Sequence, residues 1–271
     1  MKKSVFYSGI FAVVLATALS ACKSVATITE VQEHVPQKII LTSNKLGDVF
    51  ILIAGTGTIT IDWGNGKEFE THTLSMYEDN FTSSHRYSQS YSDTSIRTIT
   101  IFGENITHFN SIENQVTTLD VSNNAALIGL WCNEKQLTNL NLSNNAALTS
   151  LWVVDGSLTN LDVSNNTALK TLSCNGNRLR NLDVSNNTKL VELSCYDNLL
   201  RSLDVSMNTA LAILDCSHNQ LTATALNALF ETLHSNSVSG GKTVSIRFNP
   251  GINESDKSIA RRKEWLVVDG L

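Results

Sequence analysis

LTNLDVSNNTALKTLSCNGNR, residues Leu158 to Arg178, is one unit of a phrase that the chain repeats with a period of 21 residues. Aligned on that period, Val116, Leu137, Leu158, Leu179, Leu200 and Leu221 fall in one column. A second column runs from Leu119 to Leu203, a third from Leu127 to Leu211 and a fourth from Leu130 to Leu214. Fixing the backbone of one such unit costs roughly 20 to 40 kcal/mol, at about 1 to 2 kcal/mol per residue. Its few buried leucines return only about 1.5 to 3 kcal/mol each. One unit therefore cannot fold alone, and stacked neighbours must supply the difference. The repeated letters hold the coil, and the letters that change are left free for function.

Within the unit, Leu172 and Cys174 alternate with polar residues, which predicts a short strand with one buried face, paired in parallel with the equivalent strands of its neighbours. The run Leu169-Lys170-Thr171-Leu172-Ser173-Cys174-Asn175-Gly176-Asn177-Arg178-Leu179 fits L-x-x-L-x-L/C-x-x-N-x-L and resembles the leucine-rich repeat family. That resemblance implies that Asn177, Asn198 and Asn219 turn the chain inward and hydrogen-bond backbone groups of the coil. Lys135 and Gly156 occupy the same slot in two coils, whose turns are expected to be less regular. The L-D-V-S-x-N half predicts a second extended segment on the opposite face, with Asn124, Asn145, Asn166, Asn187 and Asn208 as another ladder. Ile106 to Val116 reads as a first, degraded copy, so about six coils stack.

The expected fold is mostly β with short helices: a solenoid over 104–234, a small immunoglobulin-like β-sandwich at 38–103 that leads directly into Ile106 and serves as its N-terminal cap, and an α/β C-terminal cap over 235–271. The sandwich rests on strand-like runs at 38–42, 49–53 and 58–61 and on the tight-turn pair Asn65-Gly66. Ile61-Asp62-Trp63-Gly64-Asn65-Gly66, followed by His85-Arg86-Tyr87 and Thr98 to Ile101, resembles the polycystic-kidney-disease-type domain, although Asn65 stands where that family usually has Asp. His85 is expected to make a structural hydrogen bond. After Leu221 the apolar spacing of Ala223 to Leu233 is helical and leads into the cap, where Thr243 to Phe248 alternates as a strand and Trp265 is expected in the core.

At the other end, Lys2 and Lys3 precede an apolar run that closes on Leu19-Ser20-Ala21-Cys22. This ending resembles the lipobox of bacterial lipoproteins, which implies a signal peptide over 1–21, acylation of Cys22, a tether over 22–37 and a lipid anchor in the bacterial outer membrane, with display at the cell surface expected. Losing the two lysines takes the formal net charge from −5 to −7. A mildly acidic chain is a poor nucleic-acid partner, because phosphate neutralisation needs clustered Lys and Arg.

Cys132, Cys174, Cys195 and Cys216 share one repeat column, with Val153 in the remaining slot. They are expected to be reduced core residues, since no histidine column or C-x-x-C spacing accompanies them to suggest a metal. No cofactor site is expected. The chain also lacks G-x-S-x-G, H-E-x-x-H, P-loop and dinucleotide motifs, and is expected not to be an enzyme.

The variable strand positions carry the functional expectation. Trp131 and Trp152, one period apart, should lie side by side on the concave face, extended by Val154 and Tyr196 and rimmed by Glu134, Asp155, Asp197 and His218. Glu192 and Asp215 share that face as a carboxylate pair of the kind a glycosidase would need. Exposed neighbouring tryptophans suit a hot spot for a protein partner. The alternatives are a stacking platform for sugar rings and a purely structural envelope protein. The family resemblance implies adhesion or host-protein interaction.

Overall fold

A computed structural model describes residues 37–76 and 85–270, and Val35–Leu271 forms one compact unit. The expected signal peptide, the expected lipidation site Cys22 and the expected tether through residue 36 lie outside the described residues.

The leucine columns stack. Strands β9 (Gly129–Asn133), β10 (Ser150–Val154), β11 (Thr171–Ser173), β12 (Glu192–Ser194) and β13 (Ile213–Asp215) pair in parallel, one coil to the next. Their register aligns Leu130, Leu151, Leu172, Leu193 and Leu214, each at most 1% exposed. The cysteine column lies beside them, and Cys132, Cys174, Cys195 and Cys216 are free and buried. Burial pushes the Cys174 thiol up to about 12, so these thiols stay protonated and unreactive at neutral pH. A maleimide should label the four repeat cysteines only after denaturation, as intact mass spectrometry would show.

Two asparagine ladders close the coil. On the return side, the Asn187 amide donates to the carbonyls of Val163 and Asn166, both at 2.9 Å. Asn145, Asn166 and Asn208 repeat the pattern one coil apart. At the turn after each strand, Asn198 donates to the Cys174 carbonyl at 3.0 Å while its Oδ1 accepts from the Leu179 N–H at 2.9 Å. Asn177 and Asn219 act alike. The expected second extended segment forms a paired strand only in the first copy. In later coils the segment is followed directly by compact turns in which Asp162, Asp183 and Asp204 accept the N–H two residues on, as Asp120 does in the first copy.

The turn at the Lys135 slot departs from the others, as expected: Glu134 stays out of the left-handed region that its counterparts adopt, and its carbonyl accepts the Leu137 N–H at 3.0 Å. Glu134, placed on the rim from sequence, is 1% exposed. Its Oε2 accepts the Val116 N–H at 2.9 Å, and its Oε1 accepts the Asn114 N–H and the Ser111 hydroxyl. The carboxylate thus serves the N–H that an asparagine serves in later coils. A short-stemmed amide at 135 is replaced by a longer carboxylate one residue earlier.

The first copy joins the solenoid to the N-terminal strands. Its β7 (Ile106–Ile112) pairs in parallel with β9 on one side and antiparallel with β2 (Gly47–Gly55) on the other, and β5 (Arg86–Tyr91) follows β2. Its β8 (Val116–Asp120) enters a second, antiparallel sheet in the order β4 (Glu70–Thr73), β3 (Thr58–Asp62), β6 (Arg97–Gly103), β1 (Lys38–Ser43), β8. Each sheet turns its apolar alternation, Ile39, Leu41, Ile99 and Ile101 on one and Val49, Ile51 and Ile53 on the other, into the same core. Pairing β2 onto β7 satisfies the N–H and C=O row that the first coil would otherwise expose. His85 is 4% exposed and its Nε2 lies 2.9 Å from the Ser75 hydroxyl.

At the far end, Thr222 caps α1 (Ala223–Thr232) by accepting from the Ala225 N–H. β14 (Lys242–Ser245) and β15 (Trp265–Val268) then extend the parallel sheet, with α2 (Ser258–Arg262) between them. Asn249 repeats the turn rung, donating to the Cys216 carbonyl and accepting from the Leu221 N–H, both at 3.0 Å. The cap therefore continues the coil rather than replacing it. Trp265 is 2% exposed and donates to the His234 carbonyl.

Candidate functional site

Side chains alternate along a strand, so the solvent-facing positions of the parallel sheet form columns as regular as the buried leucines. The middle column aligns Trp131, Trp152, Ser173, Ser194, Asp215 and Ser245. Trp131 and Trp152 are register partners, as the period required. Their environments differ. Trp152 is 41% exposed, whereas Trp131 is half-buried, its ring stacked on His108 at 5.8 Å and 20°. The space for that ring is made by Gly129: a Cβ there would fall within 2.7 Å of His108 Cδ2 and nearer still to the indole. Val154 is half-buried and Tyr196 is 38% exposed. Ser173 and Asn175, which separate the Trp152 end of the face from Tyr196, are buried and hydrogen-bonded to each other.

Glu192 and Asp215 are both half-buried on this face. The register sets Glu192 opposite Ile213 and Asp215 opposite Ser194, so the two carboxylates are diagonal neighbours rather than a facing pair. Asp215 Oδ1 accepts the Ser217 N–H at 3.0 Å.

One feature of the rim escaped the sequence. Glu113, Asp155, Gly176, Asp197, His218 and Phe248 all have φ between 51° and 66°. Five of them directly precede a turn-ladder asparagine, and Asp155 precedes Gly156 in the same slot. These coils enter the left-handed region to aim the next residue inward, whereas Glu134, at the equivalent position before Lys135, does not. Gly, Asp and His, which tolerate that region best, recur there, and the signal was the residue type before each rung. The geometry turns these side chains to the edge of the concave sheet, where Asp155, Asp197 and His218 are exposed as expected. The His218 ring stacks on Phe248 at 4.1 Å. Between this pair and Tyr196 is a shallow hollow of about 160 Å³, walled also by Asp215, Ser217, Ser245 and Arg247.

No family profile matches the sequence, and no curated protein matches it. Among solved structures, the functional domain of InlJ from Listeria monocytogenes, described as including a cysteine ladder, is similar at 30% identity and a TM-score of 0.51. The match covers 60% of this chain and 34% of that one. The solenoid is a leucine-rich repeat. The internalin InlF from the same species is similar at 21% identity and a TM-score of 0.48, over 59% of this chain and 48% of its own. The internalin InlC2 is similar at 19% identity and a TM-score of 0.40, over 61% and 81%. The leucine-rich repeat chain spans about a third of the InlJ domain's length. Among the described residues, no helix is long and apolar enough to cross a membrane, and no group of three or more His, Cys, Asp or Glu is placed to hold a metal ion.

Proposed function

We propose that this chain is a cell-envelope lipoprotein, held at the outer membrane by acylated Cys22 and displayed outward, that binds a protein partner through the concave face of its leucine-rich repeats. The observation that carries the reading is Trp152. Its ring is 41% exposed at the middle of a strand whose inward neighbours Leu151 and Val153 are at most 1% exposed. A large ring left in water on a rigid sheet adds little to folding, and it is the residue type that dominates protein interfaces. Val154 lies beside Trp152 on the same strand, and Tyr196 is exposed two coils on. The similarity to InlJ supports a repeat surface of the same architecture.

A sugar platform would draw on both indoles side by side, but the Trp131 ring is occupied by His108 over Gly129. One indole face suits a protein hot spot better than a two-ring stacking shelf. Trp152→Ala should leave stability within about 0.5 kcal/mol, as expected for an exposed side chain. It should weaken partner capture about 30-fold, the effect of losing one hot-spot residue worth about 2 kcal/mol. Titration against extracellular-matrix proteins and against a glycan array separates the readings. Unchanged matrix binding in a folded Trp152→Ala protein would refute the proposal, and glycan binding lost in the variant would replace it with the sugar reading.

A further inference from the structure

We infer that the partner-binding surface continues from the solenoid onto the N-terminal strands, where Arg86 and Lys45 receive an aspartate or glutamate of the protein partner beside its apolar contacts. The inference rests on the concave-face reading above and adds the chemistry of what binds there. Because β7 pairs with β9 on one side and with β2 on the other, the face that carries Trp152 does not end at the first coil. One row crosses five strands in register: Trp152 on β10, Trp131 on β9, Asn110 on β7, Leu52 on β2 and Arg86 on β5. At about 4.8 Å per strand, its ends stand about 19 Å apart. The neighbouring row, two residues along the strands, adds Val154, Ile112 and Phe50, each half-buried, as Leu52 is. Apolar side chains therefore reach solvent on both sides of the boundary between the repeats and the N-terminal strands. The first coil holds the two parts rigidly together. The Asn114 amide accepts the Phe50 N–H at 3.1 Å and donates to the Phe50 carbonyl at 2.6 Å.

The charge on this stretch selects the occupant. Phe50 carries two cations, the Arg86 guanidinium carbon 4.1 Å from its ring centre and Lys45 Nζ at 5.3 Å. Among the described residues neither cation has an ion-pair partner, although Asp48 is exposed on β2 and Glu113 at the rim. Glu134, the buried carboxylate that feels the Lys45 charge, already has its oxygens on Val116, Asn114 and Ser111. A guanidinium held over a ring keeps its N–H edge for a planar carboxylate, and the ring fixes where that carboxylate must come. The middle of the row adds a polar group. Asn110 is 9% exposed between Leu52 and Trp131, and its Oδ1 is buried with no donor. Buried amides are normally hydrogen-bonded. A peptide backbone laid across the row brings the N–H that this one lacks, once the amide turns outward about χ2. The occupant is therefore a segment of the protein partner whose apolar side chains meet Trp152 and Leu52 and whose carboxylate reaches Arg86 and Lys45.

The test titrates the peptide acetyl-Glu-Gly-Leu-Gly-Leu-amide into the isotope-labelled full chain and follows the backbone amides of Leu52, Arg86 and Asn110 and the Trp152 indole N–H by NMR. The same peptide with glutamine in place of glutamate is the control. The glutamate peptide should bind about tenfold more tightly than the glutamine peptide, and the difference should shrink at high salt. The double variant Lys45→Gln, Arg86→Gln should abolish that difference. Neither side chain holds an ion pair within the chain, so the rest of the spectrum should be unchanged. No saturable shifts from the glutamate peptide, equal affinity of the two peptides, or a difference that survives in the double variant would overturn the inference. Capture of extracellular-matrix protein that needs Trp152 but is indifferent, in strength and salt dependence, to the two glutamines would leave the concave face as the working surface and overturn its extension onto the N-terminal strands alone.

Discussion

An Asn187→Asp substitution should lower the unfolding free energy by more than about 4 kcal/mol at neutral pH, beyond the usual range for a point mutation. Asn187 is 0% exposed, and both its amide protons are used, on the Val163 and Asn166 carbonyls. Its Oδ1 is buried with no donor facing it. The rung is therefore a pure donor, which explains why asparagine recurs rather than serine, with its single proton. Aspartate presents an acceptor to two acceptors and adds a buried charge. Asn187→Ala leaves the two carbonyls unpaired without adding charge and should cost about 2 to 4 kcal/mol, at about 1 to 2 kcal/mol for each orphaned group. Urea unfolding followed by circular dichroism checks the order. Aspartate no worse than alanine would show that the ladder does not work as a donor array.

Glu134→Ala should cost about 3 to 5 kcal/mol, because it strands the buried Val116 and Asn114 N–H groups and the Ser111 hydroxyl. Glu134→Gln keeps one oxygen but turns an amide toward an N–H, and should cost about 1 to 3 kcal/mol. The residue also sets a pH dependence. Burial pushes its carboxyl above the ordinary 4.5, outweighing the hydrogen bonds from Val116, Ser111 and Asn114 that favour the anion. The folded chain then holds this proton more tightly than the unfolded chain does. Its contribution to stability is full below about pH 4.5 and is lost as pH rises through the folded value. The difference in stability between wild type and Glu134→Gln should thus shrink with rising pH over that window. A difference that grows instead would place the folded pKa below the ordinary one.

The parts of this fold legible in the sequence are those that repeat. A period of 21 fixes which side chains must stack, so the leucine columns, the buried cysteines and the Trp131 to Trp152 register follow from spacing, while the work of the turn asparagines followed from the leucine-rich repeat resemblance. What was hidden depends on single exceptions. Glu134 looked like one more rim charge because it stands one residue ahead of the slot whose work it does. Trp131 looked as exposed as Trp152, and only Gly129, two residues earlier on the same face, signalled that the ring folds back. Asn249 was readable in Val244-Ser245-Ile246-Arg247-Phe248-Asn249 as another rung, but the helix inserted before it broke the period. That the N-terminal strands cap the first coil was legible where they run directly into Ile106, but which strands pair with it was not, since strand pairing across 60 residues leaves no local pattern.

The central claim is that the positions outside the repeat rhythm on the parallel sheet are where the partner sits. A photo-reactive phenylalanine analogue at Ser194, mid-sheet between Ser173 and Asp215, can be compared with the same analogue at Arg180 on the return segment, using the full chain and extracellular-matrix proteins under ultraviolet light. The account predicts a discrete cross-linked species from position 194, suppressed by Trp152→Ala, and none from position 180. Adducts of equal yield from both positions, or from position 180 alone, would contradict it.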